Sequence, residues 1–323
     1  MERFLSSREA KPVRYIPIEL TDETIAELQD PSIEASDLDF AVVHVDQGVR
    51  ASAARNPALT AQQIQWLSRD RNEVQAALAE NPALDSATLI ALSQSPHIRV
   101  RSNAISHPNF PAASLASFAK DSSLRIRAAV AASPSATIDL LTSLASDEEF
   151  SVRAHVSRHP NTPAAVLDRL STDSFKEVIE GVAENPNTPL TVLERYLYGP
   201  HDEKFHSVKN PSLTDEILLK ALEKAMELTE EQDESWEDGR GDTNLRQWIA
   251  ERNPISEKLI LALIEDPYLY VRASLARNEG VPDSFLAKLA FDKEEAVRTA
   301  VVANSNASAD TKAAAVLLGV EDN

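Results

Sequence analysis

The sequence predicts an all-α solenoid built from about ten two-helix repeats of 25–26 residues. Three observations predict this fold class. A polar residue, usually followed by proline, recurs at a nearly constant step, and apolar residues keep fixed positions around it. Only 5% of the residues are aromatic, so the core must be built from Ala, Val, Leu and Ile. A single unit of this kind cannot bury its apolar face, but stacked units can.

The recurring polar residue defines a register position in each repeat. Its steps are 25 or 26 residues, except for one step of 43 residues that contains about 18 extra residues. The register residues are Asn56, Asn81, His107, Ser133, His159, Asn185, Asn210, Asn253, Asn278 and Asn304.

Two short helices are predicted in each repeat. Apolar residues seven and three positions before the register residue, such as Val152 and Val156, lie on one face of a first helix. The proline after the register residue ends that helix. A second helix begins about four residues later at Thr, Asp or Pro. Its predicted buried column, eight residues past the register, is Ile64, Leu89, Leu115, Leu141, Leu167, Leu193, Leu218, Leu261 and Leu286.

Four segments follow from this pattern. Residues 1–48 do not match the repeat and are expected to form an N-terminal cap, because the ends of a repeat array need a polar cover. Residues 49–198 hold repeats 1–6. Residues 199–244 form a degenerate repeat with an acidic insertion, and residues 245–323 hold repeats 8–10 with a C-terminal cap.

An Asp followed six residues later by an Arg recurs between repeats. We expect the Asp to accept hydrogen bonds at a helix start and to pair with an Arg of the same or the next repeat. The pattern lapses at Gln75, Ser95 and Ile179, where we expect this ladder to be interrupted. The four pairs are Asp121–Arg127, Asp147–Arg153, Asp266–Arg272 and Asp292–Arg298.

The repeat resembles the leucine-rich repeat variant family, whose pattern is Val-Arg-x-x-Val-Ala-x-Asn-Pro-x-Thr-Pro-x-x-x-Leu-x-x-Leu-Ala-x-Asp. The segments VSRHPNTPAAVLDRLSTD and VAENPNTPLTVLERY carry this resemblance, which covers most of residues 49–198 and again 245–304. It implies a right-handed α-solenoid, with alternating α and short 3₁₀ or α segments. The Asp–Arg spacing is similar to that of HEAT-type repeats. The founding type of the family carries an iron–sulfur module, which this chain has no cysteine to hold.

Charge is segregated along the chain, whose formal net charge is −19. Residues 1–48 carry −7 and residues 199–244 carry −8, whereas the repeat blocks are close to neutral. We therefore expect a protein or peptide partner with a basic surface. Trp236, an apolar residue among the acidic residues of the insertion, is a candidate anchor for that partner.

The sequence contains no motif that predicts catalysis. There is no GxSxG, HExxH, Walker loop or GxGxxG, so we expect no enzymatic activity and no cofactor or metal. His155 and His159 are four residues apart, but His159 holds a register position and is interpreted as a polar cap, as is His107. No apolar run approaches the roughly 20 residues of a membrane span. The lack of cysteine agrees with a cytoplasmic location.

The candidate partner-binding residues lie on the first helices. Positions eight, four and one before the register, here called positions −8, −4 and −1, vary between repeats while the apolar columns stay uniform. A face that is freed from packing can carry recognition, so we predict a non-enzymatic protein–protein interaction scaffold that binds its partner on a solenoid face and binds no nucleic acid. The candidate residues there are Arg99, Asn103, Arg125, His155 and Arg158.

A nucleic-acid-binding protein remains the alternative. It would resemble the alkylpurine DNA glycosylases, which are built on HEAT-like repeats. The arginines of repeats three to five favour this interpretation, and the strongly negative net charge opposes it.

Overall fold

The computed structural model describes residues 21–199, 201–231 and 241–317. The predicted fold class is confirmed: within these ranges the chain forms 21 α-helices and one 3₁₀ helix, with no strand, in two-helix repeats. Among the described residues, no helix is long and apolar enough to cross a membrane. Two compact units are present, unit 1 from residue 1 to 161 and unit 2 from residue 162 to 323. The four segments predicted above stay a prediction.

Unit 1 alternates first and second helices. It opens with α1 (Asp22–Gln29) and a 3₁₀ helix (Ala35–Leu38). The following first helices are α2 (Gln47–Ala54), α4 (Asn72–Leu78), α6 (Ile98–Ser106), α8 (Leu124–Ala132) and α10 (Phe150–Arg158). The second helices are α3 (Ala61–Leu67), α5 (Ser86–Leu92), α7 (Ala112–Leu115) and α9 (Ile138–Leu144).

Unit 2 continues the same alternation. Its first helices are α12 (Lys176–Glu184), α14 (His201–Val208), α16 (Gly241–Ala250), α18 (Leu269–Arg277) and α20 (Glu295–Ala303). Its second helices are α11 (Ala164–Leu170), α13 (Leu190–Leu197), α15 (Asp215–Glu231), α17 (Glu257–Leu263), α19 (Asp283–Leu289) and α21 (Ala309–Leu317). The longest of them, α15, lies in the 43-residue step.

The second helices begin where the caps predict. Thr60 accepts a hydrogen bond from the backbone N–H of Gln63, and the Gln63 side chain accepts one from the N–H of Thr60, which forms a capping box. Pro163 occupies the cap position of α11. Seven of the nine residues in the predicted buried column are buried in their respective units, including Leu141 and Leu167, whereas Ile64 is half-buried and Leu261 is exposed.

Side chains at most register positions join a repeat to the one before it, whereas the buried hydroxyl of Ser133 makes no such bond. Nδ2 of Asn81 donates to the backbone oxygens of Ala54 and Asn56, at 2.9 and 2.7 Å. Its Oδ1 accepts the N–H of Ala83, which shapes the turn at the proline. Because these groups are buried, each bond replaces one that water would otherwise make.

Histidine makes the same connection at two register positions. Nε2 of His107 lies 2.9 Å from the backbone oxygen of Asn81, and Nδ1 accepts the N–H of Asn109. Burial lowers the pKa of His107, so the ring is neutral at neutral pH, with its proton on Nε2. The ring of His159 is held in the same way by the backbone oxygen of Ser133 and the N–H of Asn161.

The predicted register residue Asn253 is wrong by one position. Asn253 is exposed, whereas Arg252 donates from its guanidinium to the backbone oxygens of Val208 and Asn210, as a register asparagine would. Asn278 in turn donates to the backbone oxygen of Arg252 at 2.6 Å. The sequence pattern placed the register at Asn253 because Asn253 precedes a proline, as most register residues do, and because the pattern contains no arginine at this position.

The corrected register also explains a failure in the leucine column. Leu261 was predicted to be buried, but it is 53% exposed. Ile260 lies eight residues past Arg252 and is 1% exposed. Burial therefore follows the register that the backbone contacts define.

Residues 22–42 also follow the repeat, which the sequence pattern did not reveal. Nδ2 of Asn56 donates to the backbone oxygens of Leu28 and Asp30, both at 2.9 Å. Asp30 is therefore the register residue of this first repeat, and Pro31 follows it. Leu38, eight residues past Asp30, is fully buried. The pattern was missed because an aspartate replaces the usual Asn, His or Ser.

Arg50, Arg127 and Arg272, at position −6 of the register, each pair with an aspartate 20 residues later. Arg127 donates from Nε and Nη2 to the Asp147 carboxylate at 2.7 and 2.9 Å, and from Nη1 to the backbone oxygen of Asp121 at 3.0 Å. One guanidinium thus ties an Asp of its own repeat to an Asp of the next. The same two-pronged geometry joins Arg50 to Asp70 and Arg272 to Asp292.

Other positions of this ladder lack the two-pronged geometry, and at one of them Nη1 of Arg101 donates to the backbone oxygens of Ser95 and Pro96 at 3.0 and 3.1 Å. At Gln75, one predicted interruption, the side-chain amide donates to the backbone oxygens of Ser68 and Asp70. It thus replaces the hydrogen bonds that an arginine would donate to backbone oxygens, but not those to an aspartate carboxylate. Arg246 and Asp266 are both fully buried, with Nη1 and Oδ2 3.2 Å apart. Burial raises the pKa of Asp266, which is opposite to the shift of Asp147.

The ladder predicts a pH dependence of stability. The hydrogen bonds from Arg127 hold the pKa of Asp147 below its ordinary value, although burial opposes them. A carboxylate with a lowered folded-state pKa adds stability above its unfolded pKa of about 3.9, and this contribution is lost as pH falls through the folded value. We expect Asp147→Asn to destabilise unit 1 strongly at pH 7 and progressively less as the pH falls below about 3.9, as measured by urea unfolding. Destabilisation that does not change with pH would show that the charge of Asp147 does not matter.

Candidate interaction surface

The first helices of neighbouring repeats pack side by side within each unit, and positions −8, −4 and −1 form a stripe along them. Most side chains at −4 are small and buried, because they lie where adjacent helices approach closely. Residues at −8 and −1 are exposed or half-buried. The stripe therefore has a packed column at position −4 and one accessible column on each side of it, at positions −8 and −1. The buried residues at −4 are Ser52, Ala77, Ala129, Gly181, Ser274 and Ala300.

Arg99 and Arg125 occupy position −8 in neighbouring repeats, on α6 and α8. Both are exposed. Among the residues that the structure describes, neither guanidinium has a hydrogen-bond or ion-pair partner, in contrast to Arg127 on the same helix as Arg125. Their donors are therefore available to a ligand.

Asn103 is one of the larger residues at position −4 and belongs to a network across three repeats. Its Nδ2 donates to the backbone oxygen of Ala76 at 3.0 Å and to Oε1 of Glu80 at 2.9 Å. Nε of Arg55 donates to the other oxygen of Glu80, also at 2.9 Å. The network fixes the Glu80 carboxylate on the first-helix face.

His155 and Arg158 lie on α10, where both are exposed. Desolvation by the surrounding protein lowers the pKa of His155, and the charge of Arg158 adds to this effect. The imidazole is therefore neutral at neutral pH and presents one donor and one acceptor. Trp236 lies outside the described residues.

A pairing between repeats recurs on this face and was missed from the sequence. A glutamate at −1 accepts a hydrogen bond from a polar side chain at −4 of the following repeat. Its signal is a glutamate 22 or 23 residues before that polar residue. The pairs are Glu80 with Asn103 at 2.9 Å, Glu184 with His206 at 2.8 Å and Glu251 with Ser274 at 3.0 Å.

Two adjoining clefts open on the first-helix face of unit 2, and Arg277 lines both of them. The first, of about 380 Å³, is lined by Gln247, Glu251, Asn253, Ser274, Arg277, Asn278 and Glu279. The second, of about 430 Å³, is lined by Arg277, Glu295, Ala296, Thr299, Ala300 and Ala303. Sequence reasoning missed these residues because the clefts depend on how far apart α16, α18 and α20 stand, which no residue pattern specifies.

Comparison with known proteins agrees with the repeat pattern. Residues 151–175 match the family model of the leucine rich repeat variant. The predicted resemblance to this family is thereby confirmed. No curated protein gives a significant match. Within the described ranges, no group of three or more His, Asp or Glu residues is arranged to hold a metal ion.

Solved structures of repeat proteins are also similar to this chain. One is described as a leucine-rich repeat variant with a novel repetitive protein structural motif. It is 19% identical, with a TM-score of 0.44, over 69% of this chain and 87% of the other. Another is a computationally designed armadillo repeat protein for modular peptide recognition. It is 14% identical, with a TM-score of 0.16, over 90% of this chain and all of the other.

Proposed function

We propose that the protein is a non-enzymatic scaffold that binds a protein or peptide partner on its first-helix face. One observation carries this proposal: position −4 is mostly packed with small residues, while the accessible positions on either side of it change from repeat to repeat. Packing does not determine the residues at those positions. They offer guanidiniums at Arg99 and Arg125 that have no partner among the described residues, and position −4 adds a neutral imidazole at His155, where the residue is exposed rather than packed. All three groups suit the polar groups of a polypeptide.

A basic surface on the partner is part of the proposal. The acidic residues of segments 1–48 and 199–244 give a negative field that attracts such a surface. A field of this kind speeds association and disfavours wrong partners more than it adds affinity. Specificity then comes from the first-helix face. A cytoplasmic location also stays a prediction.

Affinity capture from the native host with the full chain tests the proposal. We expect a specific protein to be lost when Arg99 and Arg125 are both changed to alanine. A control variant with Arg69→Ala and Arg71→Ala removes the same charge from two exposed loop residues and should retain the partner. Once the partner is isolated, raising the salt concentration should slow its association more than it speeds its dissociation.

Two results would contradict the proposal. Equal capture by the wild type and the Arg99/Arg125 variant would remove unit 1 from the docking face. Tight binding to a labelled DNA duplex at physiological salt, with no protein captured, would instead favour the nucleic-acid alternative.

A further inference from the structure

We infer that the first cleft of unit 2 binds a lysine or arginine side chain of a partner polypeptide, between Glu251 and Glu279. This inference rests on the proposed scaffold function and adds a site and a ligand chemistry to it. The cleft lies between α16 and α18 and is separate from the stripe of unit 1. The chemistry of its walls identifies the ligand.

Neighbouring side chains orient both carboxylates. Oε1 of Glu251 accepts hydrogen bonds from Oγ of Ser274 at 3.0 Å and from Nε2 of Gln247 at 3.3 Å. Oε1 of Glu279 accepts one from Oγ of Ser305 at 2.8 Å. Neither carboxylate forms an ion pair with a described residue, so each keeps its charge available for a cation in the cleft.

Charge favours a basic ligand over an acidic one. The first cleft holds two carboxylates and one guanidinium, that of Arg277, so its walls carry a net negative charge. An acidic side chain would face both Glu251 and Glu279. A lysine or arginine can replace water on both of them, and the net charge of −19 on the whole chain also attracts it.

The second cleft accommodates the main chain beside the basic residue. Ala296, Ala300 and Ala303 give it a wall of small side chains, which lets an extended segment approach α20 closely. Arg277 stands between the clefts and has no ion-pair partner among the described residues. Its donors can bind main-chain carbonyl oxygens, as can the side-chain amides of Asn253 and Gln247. The ligand is therefore an extended basic segment with small residues next to the lysine or arginine.

A labelled peptide of alternating lysine and alanine, titrated into the full chain, tests this site. The measurement is fluorescence anisotropy at about 0.15 M salt, which screens charges more than about 8 Å away. We expect Glu251→Gln and Glu279→Gln each to weaken binding by about fivefold, the upper value for one exposed ion pair. Glu265→Gln is the matched control, because it removes the same charge from an exposed residue outside the clefts and should leave the affinity unchanged.

Charge reversal protects this test against a variant that is merely misfolded. With Glu251→Lys and Glu279→Lys together, the chain should lose the lysine peptide and gain binding to a glutamate–alanine peptide. Equal effects of Glu251→Gln and Glu265→Gln, or no gain of the acidic peptide on charge reversal, would overturn the inference.

Capture of the isolated partner by variant chains distinguishes failure of this inference from failure of the proposed function. Loss of that partner from both the unit 1 stripe variant and the Glu251/Glu279 variant supports both. Loss from the stripe variant alone would keep the scaffold and overturn the basic-residue site.

Discussion

Replacing Arg127 with alanine should lower the free energy of unfolding of unit 1 by about 3–5 kcal/mol, the usual cost of removing one partner of a buried ion pair. Arg127 is 8% exposed, and its guanidinium holds Asp147 through two hydrogen bonds. Without it, the Asp147 carboxylate stays in a poorly hydrated site where, among the described residues, the N–H of Glu149 is its one remaining hydrogen-bond donor. The backbone oxygen of Asp121 also loses its donor.

Arg125 is the matched control for this prediction, because it lies two residues away on the same helix, is exposed and has no partner among the described residues. Arg125→Ala should cost less than about 0.5 kcal/mol. Urea unfolding and amide hydrogen exchange in α8 and α10 measure both variants, and exchange localises the effect to unit 1. If Arg127→Ala and Arg125→Ala lowered the free energy of unfolding equally, the assignment of position −6 as the ion-paired position and position −8 as the position without a partner would be wrong.

Local spacing accounts for what the sequence predicted correctly. The step of 25–26 residues, the caps at Thr60 and Pro163 and the burial of Leu141 all depend on residues within one repeat, where helix periodicity applies. The same rule failed at Leu261, because its repeat was aligned on Asn253 rather than on Arg252. Only the backbone contacts of Arg252 reveal that alignment.

Contacts between repeats were harder to predict. The Asp–Arg motif was found at a spacing of six residues, but the ion pair in the structure joins residues 20 apart, as in Arg127 and Asp147. The sequence offers both spacings, and the stacking of the helices decides between them. The clefts around Arg277 depend in the same way on how far apart α16, α18 and α20 stand, which no residue pattern specifies.

Replacing Leu141 with alanine should cost about 2–5 kcal/mol, because the side chain is fully buried in unit 1 and its removal leaves a cavity in addition to the lost burial. In a stack of repeats, a residue that fills the space between two repeats stabilises both of them. The loss of stability therefore extends to the neighbouring repeat. Leu167→Ala should have the same effect in unit 2, where Leu167 is also fully buried.

Ile138 on the same helix provides the control for Leu141, since it is 58% exposed and Ile138→Ala removes a comparable volume from the surface. Its cost should be within about 0.5 kcal/mol. Urea unfolding gives the total change for each variant, and amide hydrogen exchange in α8 and α10 shows whether the helices around Leu141 lose protection together. Loss confined to α8 and α9, the two helices of its own repeat, would mean that Leu141 stabilises only that repeat. A joint loss in α8, α9 and α10 is the result expected if the buried leucine column couples one repeat to the next.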